Sequence, residues 1–307
     1  MRSLLDVPAP AKLNLFFHIV GRRADGYHLV ESLLVPIDWC DTLHFERRSD
    51  GRLTRRDLGA VLPADDLCLR AANALQRAAA TTLGADIAIN KVVPAGAGLG
   101  GGSSDAATTL LALNRLWGLD WSLERLLPIG LAVGADVPFF LGGTPALARG
   151  IGELLTPVKF TPTHFAVVKP AACLSTRAVF DSPRVAEALD AARIAGFPEA
   201  ARAPQKGPAR PEESGPELAE GFGRNDLQAA AEELCPDVVR AAVGLHAAFG
   251  NSRMTGSGSA VFARASRAGD GLAPPVAMPG DWPAGWSSRM CRSLERHPLE
   301  GWARREG

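Results

Sequence analysis

Five glycines crowd seven positions, Gly96, Gly98, Gly100, Gly101 and Gly102, in the run PAGAGLGGGSS at 94–104. Glycine adopts backbone angles closed to other residues and lets a ligand approach the main chain. The apolar segment DIAINKVV (86–93) precedes the run, and the periodic segment SSDAATTLLALNRLW follows it. Strand, glycine loop and helix start, in that order, offer free N–H groups and a helix dipole to an anion. Phosphate suits that chemistry. The candidate phosphate-binding residues are therefore Pro94, Ala95, Gly96, Ala97, Gly98, Leu99, Gly100, Gly101, Gly102, Ser103 and Ser104. Ser103 and Ser104 read two ways, as the helix N-cap or as hydroxyls that assist phosphate or metal.

Other residues could do chemistry beside a phosphate. Asp136 is the single charge in LLPIGLAVGADVPFFLGGTPALA (126–148); it is either a helix cap or a catalytic acid. Lys12 precedes an apolar strand, and by type alone a lysine there is solvated surface. Asn14 lies two residues on, so a strand points both side chains the same way. Tyr27 and His28 follow the turn GRRADG, where Arg22, Arg23 and Asp25 read as solvated turn residues. A second glycine loop, GSGS (256–259), is either a turn before a strand or another close approach to a ligand.

The type of phosphate loop can be narrowed. No lysine follows the glycines, so it is not the G-x-x-x-x-G-K-[ST] loop. Gly96, Gly98 and Gly101 match G-x-G-x-x-G, with Asp120 about 20 residues beyond. That acid should end a second parallel strand, yet Asp120 comes three residues after Trp117. Lys91 and Pro94 also interrupt the strand before the loop. A nicotinamide dehydrogenase is rejected on these grounds.

The elements that must position these groups follow from periodicity. LNLFFHIV, YHLVESLLVPI and DTLHFE read as strands, the first two forming a hairpin around GRRADG. Residues 66–80 read as a helix capped by Asp65 or Asp66. The helix from 103 carries Ala106, Leu110, Leu113 and Trp117 on one stripe and stops at Gly118. SLERLLPIGLAVG reads as a helix, GADVPFFL as the start of a short one, and FAVVKP (165–170) as a strand. A helix is expected from about 225 to 248, and MTGSGSAVFA enters a strand. The Ala-, Pro-, Glu- and Arg-rich segment 183–221 is expected to be partly a mobile loop or insertion. TPVKFTPT places the domain boundary near 155–163.

The 307 residues carry 33 Lys+Arg and 33 Asp+Glu, with 47% apolar and 21% charged residues. Such a chain folds, and its length suits two domains. Zero net charge removes the main argument for a nucleic-acid partner. The five cysteines are scattered, without C-x-x-C, and the histidines lack metal spacing, so neither a disulfide framework nor a protein-held metal is expected. Pro128, Pro138 and Pro145 break the apolar 126–148 stretch, so no membrane span is expected. The start MRSLLDVPAPAKLN lacks the apolar core of a signal peptide, and the expected location is the cytoplasm.

PAGAGLGGGSSDAA resembles the ATP-binding loop of the GHMP kinase superfamily, and PAKLNLFF and MTGSGSAVFA match two further signatures in order. PAKLNL paired with DGYH, together with GADVPFFL and GRNDL, points to one branch. That branch phosphorylates the 2-hydroxyl of a cytidine-diphosphate-linked methylerythritol on the methylerythritol phosphate route to isoprenoids. The resemblance covers about 1–182 and 222–307. It implies an α+β, two-domain GHMP kinase fold. Residues 1–158 would form a ribosomal protein S5 domain 2-like N-terminal, ATP-binding domain, and 159–307 a ferredoxin-like C-terminal domain. It implies ATP and Mg²⁺ as cofactors and a small-molecule partner, a cytidine-diphosphate-linked polyol. Asp136 matches the base that takes the hydroxyl proton, and Lys12 the catalytic lysine. Tyr27 would stack on cytosine with Phe180 as the second aromatic, and His28 would hydrogen-bond the base. Asn14 falls in the same site, with Thr176 nearby. Homoserine- or mevalonate-type phosphorylation and a non-catalytic nucleotide-binding module are the competing readings.

Overall fold

The computed structural model describes residues 1–59, 61–194, 224–265 and 277–304. The two runs flanking GRRADG form β1 (Ser3–Arg22) and β2 (His28–Arg48), one long antiparallel hairpin. Their Val, Leu, Ile and Phe suit a pleated, packed surface. Register shifts at Pro10/Ala11 and Asn14/Phe17 interrupt the ladder, and such irregularities bend a strand. Val7 and Ala9 accordingly pack in one apolar cluster, Leu13 and Leu15 in a second, and Ile19 in a third.

The first sheet adds β3 (Leu53–Asp57), β4 (Gly84–Asn90), β5 (Ala146–Arg149) and β6 (Leu154–Pro157). Its order is β3-β4-β2-β5-β6, with β1 on β2; β3 and β4 are parallel and the other pairs antiparallel. Four helices pack on it: α1 (Leu67–Ala79), α2 (Gly101–Leu116), α3 (Leu123–Val133) and α4 (Val137–Gly142). Leu75, Leu110 and Leu113 meet Ile87 and Ile89 in its core. Asp66 caps α1 by accepting from Leu69 N at 2.8 Å, while Asp65 pairs with Arg70. A cap of this kind contributes about 1 kcal/mol.

Two helix ends differ from expectation. The N-cap of α2 is Gly100, not Ser103 or Ser104; its left-handed backbone (φ 71°) turns the loop into the helix earlier. The helix expected over 225–248 is two, α7 (Gln228–Leu234) and α8 (Pro236–Phe249), because Pro236 has no N–H and is accommodated at the first turn of a new helix. The strand before the glycine loop stops at Asn90. The 126–148 stretch divides among α3, α4 and β5, and no described helix is long and apolar enough to cross a membrane.

The second sheet, in order β10-β7-β9-β8, consists of β7 (His164–Lys169), β8 (Arg253–Met254), β9 (Val261–Arg264) and β10 (Ser287–Arg292). The short α5 (Thr176–Phe180) and α6 (Pro183–Ile194) follow β7. Within the segment expected to be mobile, 183–194 is thus helical, and 195–221 lies outside the described residues. Leu13, Val35 and Ile37 pack against Phe165, Val167 and Phe262, joining the sheets. The chain passes between them over 158–163 and returns at its end, where Leu299 and Trp302 pack in the first core and Leu123 N donates to Arg304 O at 2.7 Å.

Candidate active site

A cavity of about 880 Å³ takes its wall from β1, β2, the start of α4, α5 and both glycine loops. In the first loop the residues alternate. Ala97 and Leu99 are buried between the sheets, while Gly96, Gly98 and Gly100 line the cavity. Lys12 N donates to Leu99 O at 2.9 Å and Ala260 N to Ala97 O at 3.1 Å, so strand and second loop hold the first. Gly98 has a left-handed backbone (φ 74°), and a side chain there would collide with the Thr255 carbonyl. The two loops therefore pack main chain against main chain, and Gly256, Ser257 and Gly258 share the wall. The side chains of Pro94, Ala95, Ser103 and Ser104, and residues Gly101 and Gly102, are not part of that wall.

Lys12 is 4% exposed, not solvated as a strand-edge lysine would be. Its ammonium donates to Asn14 Oδ1. Asn14 Nδ2 donates to Ser32 Oγ at 2.7 Å, and Ser32 Oγ donates to Phe16 O at 2.6 Å. Asn14 N donates to Thr255 Oγ1 at 2.8 Å, tying β1 to the second loop. Burial pulls the Lys12 pKa below its ordinary value, and the negative charge of Asp136 opposes that shift. Asp136 occupies the position before α4 but makes no side-chain capping bond. Its carboxylate shares the cavity wall with Lys12, without an ion pair inside 4.0 Å.

Elsewhere on the wall His28 stacks on Phe180, with centroids 5.4 Å apart and planes at 29°. Phe17 meets Phe180 edge-on at 6.1 Å. Burial and the nearby Arg22 lower the His28 pKa against the pull of Asp181, which favours the neutral ring. Tyr27 is 60% exposed on the same wall, with the Arg23 guanidinium 5.8 Å from its ring centre. Thr176 Oγ1 lies 2.9 Å from Ser257 Oγ. Arg22, Arg23 and Asp25 are exposed, as expected of turn residues; Arg22 and Asp25 also line the cavity, and Arg23 pairs with Asp25.

Several contributors had little sequence signal. Ser32 and Thr255 orient Asn14. Asn225 donates to Met254 O and Gly256 O, both at 2.8 Å, and so holds the second loop. A charged residue just before a glycine loop was the only mark of Lys91, whose ammonium contacts Asp41 and Asp105. All five cysteines are free. No group of three or more His, Cys, Asp or Glu that could hold a metal exists among the described residues.

The family model of the GHMP kinases N terminal domain matches residues 66–144, which span the glycine loop and Asp136. The chain is 56% identical over 305 residues to the 4-diphosphocytidyl-2-C-methyl-D-erythritol kinase of Methylibium petroleiphilum, covering 99% of both proteins. It is 54% identical to that of Verminephrobacter eiseniae, again over 99% of each. A crystal structure of 4-(cytidine 5'-diphospho)-2C-methyl-D-erythritol kinase superposes with a TM-score of 0.68 at 34% identity, covering 88% of this chain and 90% of that one. Homoserine kinase from Cytophaga hutchinsonii, at 16% identity, 97% and 96% coverage and a TM-score of 0.65, shares the fold.

Proposed function

This chain belongs to the 4-diphosphocytidyl-2-C-methyl-D-erythritol kinases, within the GHMP kinases, and from that membership we propose how its own residues carry out the reaction. It is a phosphotransferase acting on an alcohol group, its substrate is 4-diphosphocytidyl-2-C-methyl-D-erythritol, and its product serves isoprenoid precursor synthesis. ATP is the phosphoryl donor, as in GHMP kinases generally. The acceptor we assign is the 2-hydroxyl.

The observation that carries this reading is the meeting, in one cavity, of buried Lys12, Asp136 and two glycine loops. Phosphoryl transfer asks for positioning, charge neutralisation and help for the attacking hydroxyl. The amides around Gly96, Gly98 and Gly100 hold the phosphate oxygens, and Gly256–Gly258 close the other side. Asp136 accepts the hydroxyl proton, since its carboxylate is not engaged as a cap. The Lys12 cation faces the charge growing on the transferred group. Asn14 sets the direction of that cation.

The wall carrying Tyr27, His28 and Phe180 receives cytosine. An aromatic stack accepts any base, so selection rests on hydrogen bonds from His28 and nearby backbone. Thr176 contributes a hydroxyl on the same side. Mg²⁺ is satisfied mainly by phosphate and water oxygens, needing few protein ligands. Neither Ser103 nor Ser104 lines the cavity wall; of the two, Ser104 has a buried hydroxyl with no hydrogen-bond partner and would be the one to turn toward the ion. The ion would neutralise phosphate charge. We divide the chain into units 1–158 and 159–307, with Leu299 and Trp302 of the second packing back on the core of the first, and place the enzyme in the cytoplasm, a reading that the five free thiols support.

The test is ADP release with the cytidylyl substrate beside methylerythritol phosphate lacking the cytidylyl group. Turnover is expected with the first alone. Equal kcat/KM for both would overturn the assignment.

A further inference from the structure

At the base of the first glycine loop lies a buried ionic cluster that the transfer does not use. Lys91 Nζ donates to Asp41 Oδ2 and to Asp105 Oδ2, the latter at 2.6 Å, and the three side chains are at most 9% exposed. The other Asp41 oxygen accepts from Val92 N at 2.6 Å and Val93 N at 2.8 Å. Those two residues lead into the loop, and Asp105 follows its end in α2. One cluster thus grips both ends of the loop. It also fills the space beside it, with Val93 Cγ1 3.0 Å and Lys91 Nζ 3.2 Å from where a side chain on Gly101 would begin.

The cluster holds two acids and one lysine. Burial pushes Asp105 up to about 7; Lys91 pulls it down and Asp41 pushes it up. Cys68 of α1 also faces Asp105; burial, and with it the charge of Asp105, raises its pKa, and its thiol lies 3.1 Å from Thr109 Oγ1. Breaking a buried ion pair is costly because it leaves a charge uncompensated. Here that cost falls on a loop whose amides must point at a ligand, where a shift of about 1 Å can cost on the order of 100-fold in rate.

We propose that Asp41, Lys91 and Asp105 form a clasp that positions the first glycine loop for ATP, acting as positioning residues that need not touch the nucleotide. The proposal rests on the reading of that loop as the phosphate site. The cytosine wall, with His28 and Phe180, shares no hydrogen bond or ion pair with the clasp.

The experiment compares Asp105→Ala and Asp105→Asn with the wild-type protein, using steady-state KM for each substrate and circular dichroism to establish folding. Asp105→Ala is expected to raise KM for ATP about tenfold and leave KM for the cytidylyl substrate within about twofold. Asp105→Asn retains an oxygen for Lys91 and is expected to restore KM for ATP to within about threefold. An unchanged KM for ATP in Asp105→Ala overturns the clasp, as does a parallel rise in both KM values. If Asp105→Ala does not fold, Lys91→Arg takes its place, because it keeps the cation while crowding the loop. A selective rise in KM for ATP supports the clasp, and wild-type constants overturn it. Wild-type turnover in the same assay reports on the kinase reading, so the two can fail separately.

Discussion

Lys12 and Asn14 share one face of β1, and the Lys12 ammonium donates to the Asn14 side-chain carbonyl. That bond fixes a buried cation against the wall of the cavity. Asn14→Ala removes the acceptor and leaves Lys12 free to swing. The expected result is a fall in kcat of roughly 10- to 100-fold, with a lowered thermal midpoint because Ser32 loses the Asn14 donor as well. Wild-type kcat in the folded variant would show that the bond does not orient catalysis.

Asp136→Asn keeps the shape of the side chain but cannot accept the hydroxyl proton. General-base help is typically worth about 10²–10⁴-fold, so kcat should fall in that range. ATP affinity, measured by calorimetry, should stay near wild type because the loop amides are untouched. A variant with full turnover would remove Asp136 from the mechanism.

Phe180→Ala deletes the ring on which His28 stacks. A base-stacking aromatic contributes roughly 1–3 kcal/mol, so KM for the cytidylyl substrate should rise by about 5- to 150-fold. KM for ATP should hold. Equal effects on both constants would place the ring outside the cytosine site.

Gly98→Ala puts a methyl group against the Thr255 carbonyl in a left-handed backbone. The backbone conformation alone costs about 1–2 kcal/mol for a residue with a side chain, and the collision adds to it. Chemical denaturation should show a loss of at least that size. KM for ATP should rise as the two loops are pushed apart.

His297 is buried, its Nδ1 accepts from Leu299 N at 3.0 Å, and burial lowers its pKa to about 4. The folded protein therefore resists protonation of this ring more than the unfolded chain does. Its contribution is fully present above the unfolded value near 6.5 and is lost as pH falls from there to about 4. The loss is on the order of 3 kcal/mol at most. His297→Asn keeps an acceptor for Leu299 N but does not titrate. Thermal melts across that window should show a shallower decline in the variant, and identical slopes would exclude His297 as the source.

Much of this fold was legible from local physics. Strand–loop–helix order around 94–104 and the 3.6-residue stripe of α2 depend on neighbours in sequence. The GRRADG hairpin likewise came from turn chemistry between apolar runs. The helix break at Cys235–Pro236 was also local, but the alanine-rich run around it masked the missing N–H of Pro236. The N-cap of α2 escaped because a serine preference is weaker than a glycine already turned left-handed at position 100.

The site divides in the same way. Residue types marked the glycine loops, and the motif resemblance marked Lys12, Asp136, Tyr27 and His28. Burial of Lys12 could not be read from its place at a strand edge, since it depends on Gly100, Gly256 and Phe140 closing around it from distant segments. The same holds for Lys91, which looked like an interruption in a strand and, just past the end of β4, is the centre of an ion cluster with Asp41 of β2 and Asp105 of α2.

What the order of residues determined by itself was backbone behaviour and chemical type: where the chain turns, which segments are apolar, and which groups carry charge. What only the tertiary structure decided was company. Charge stabilisation, burial and ligand space arise between residues far apart along the chain. Their strength depends on distances and on local dielectric, which exist only once both sheets have packed.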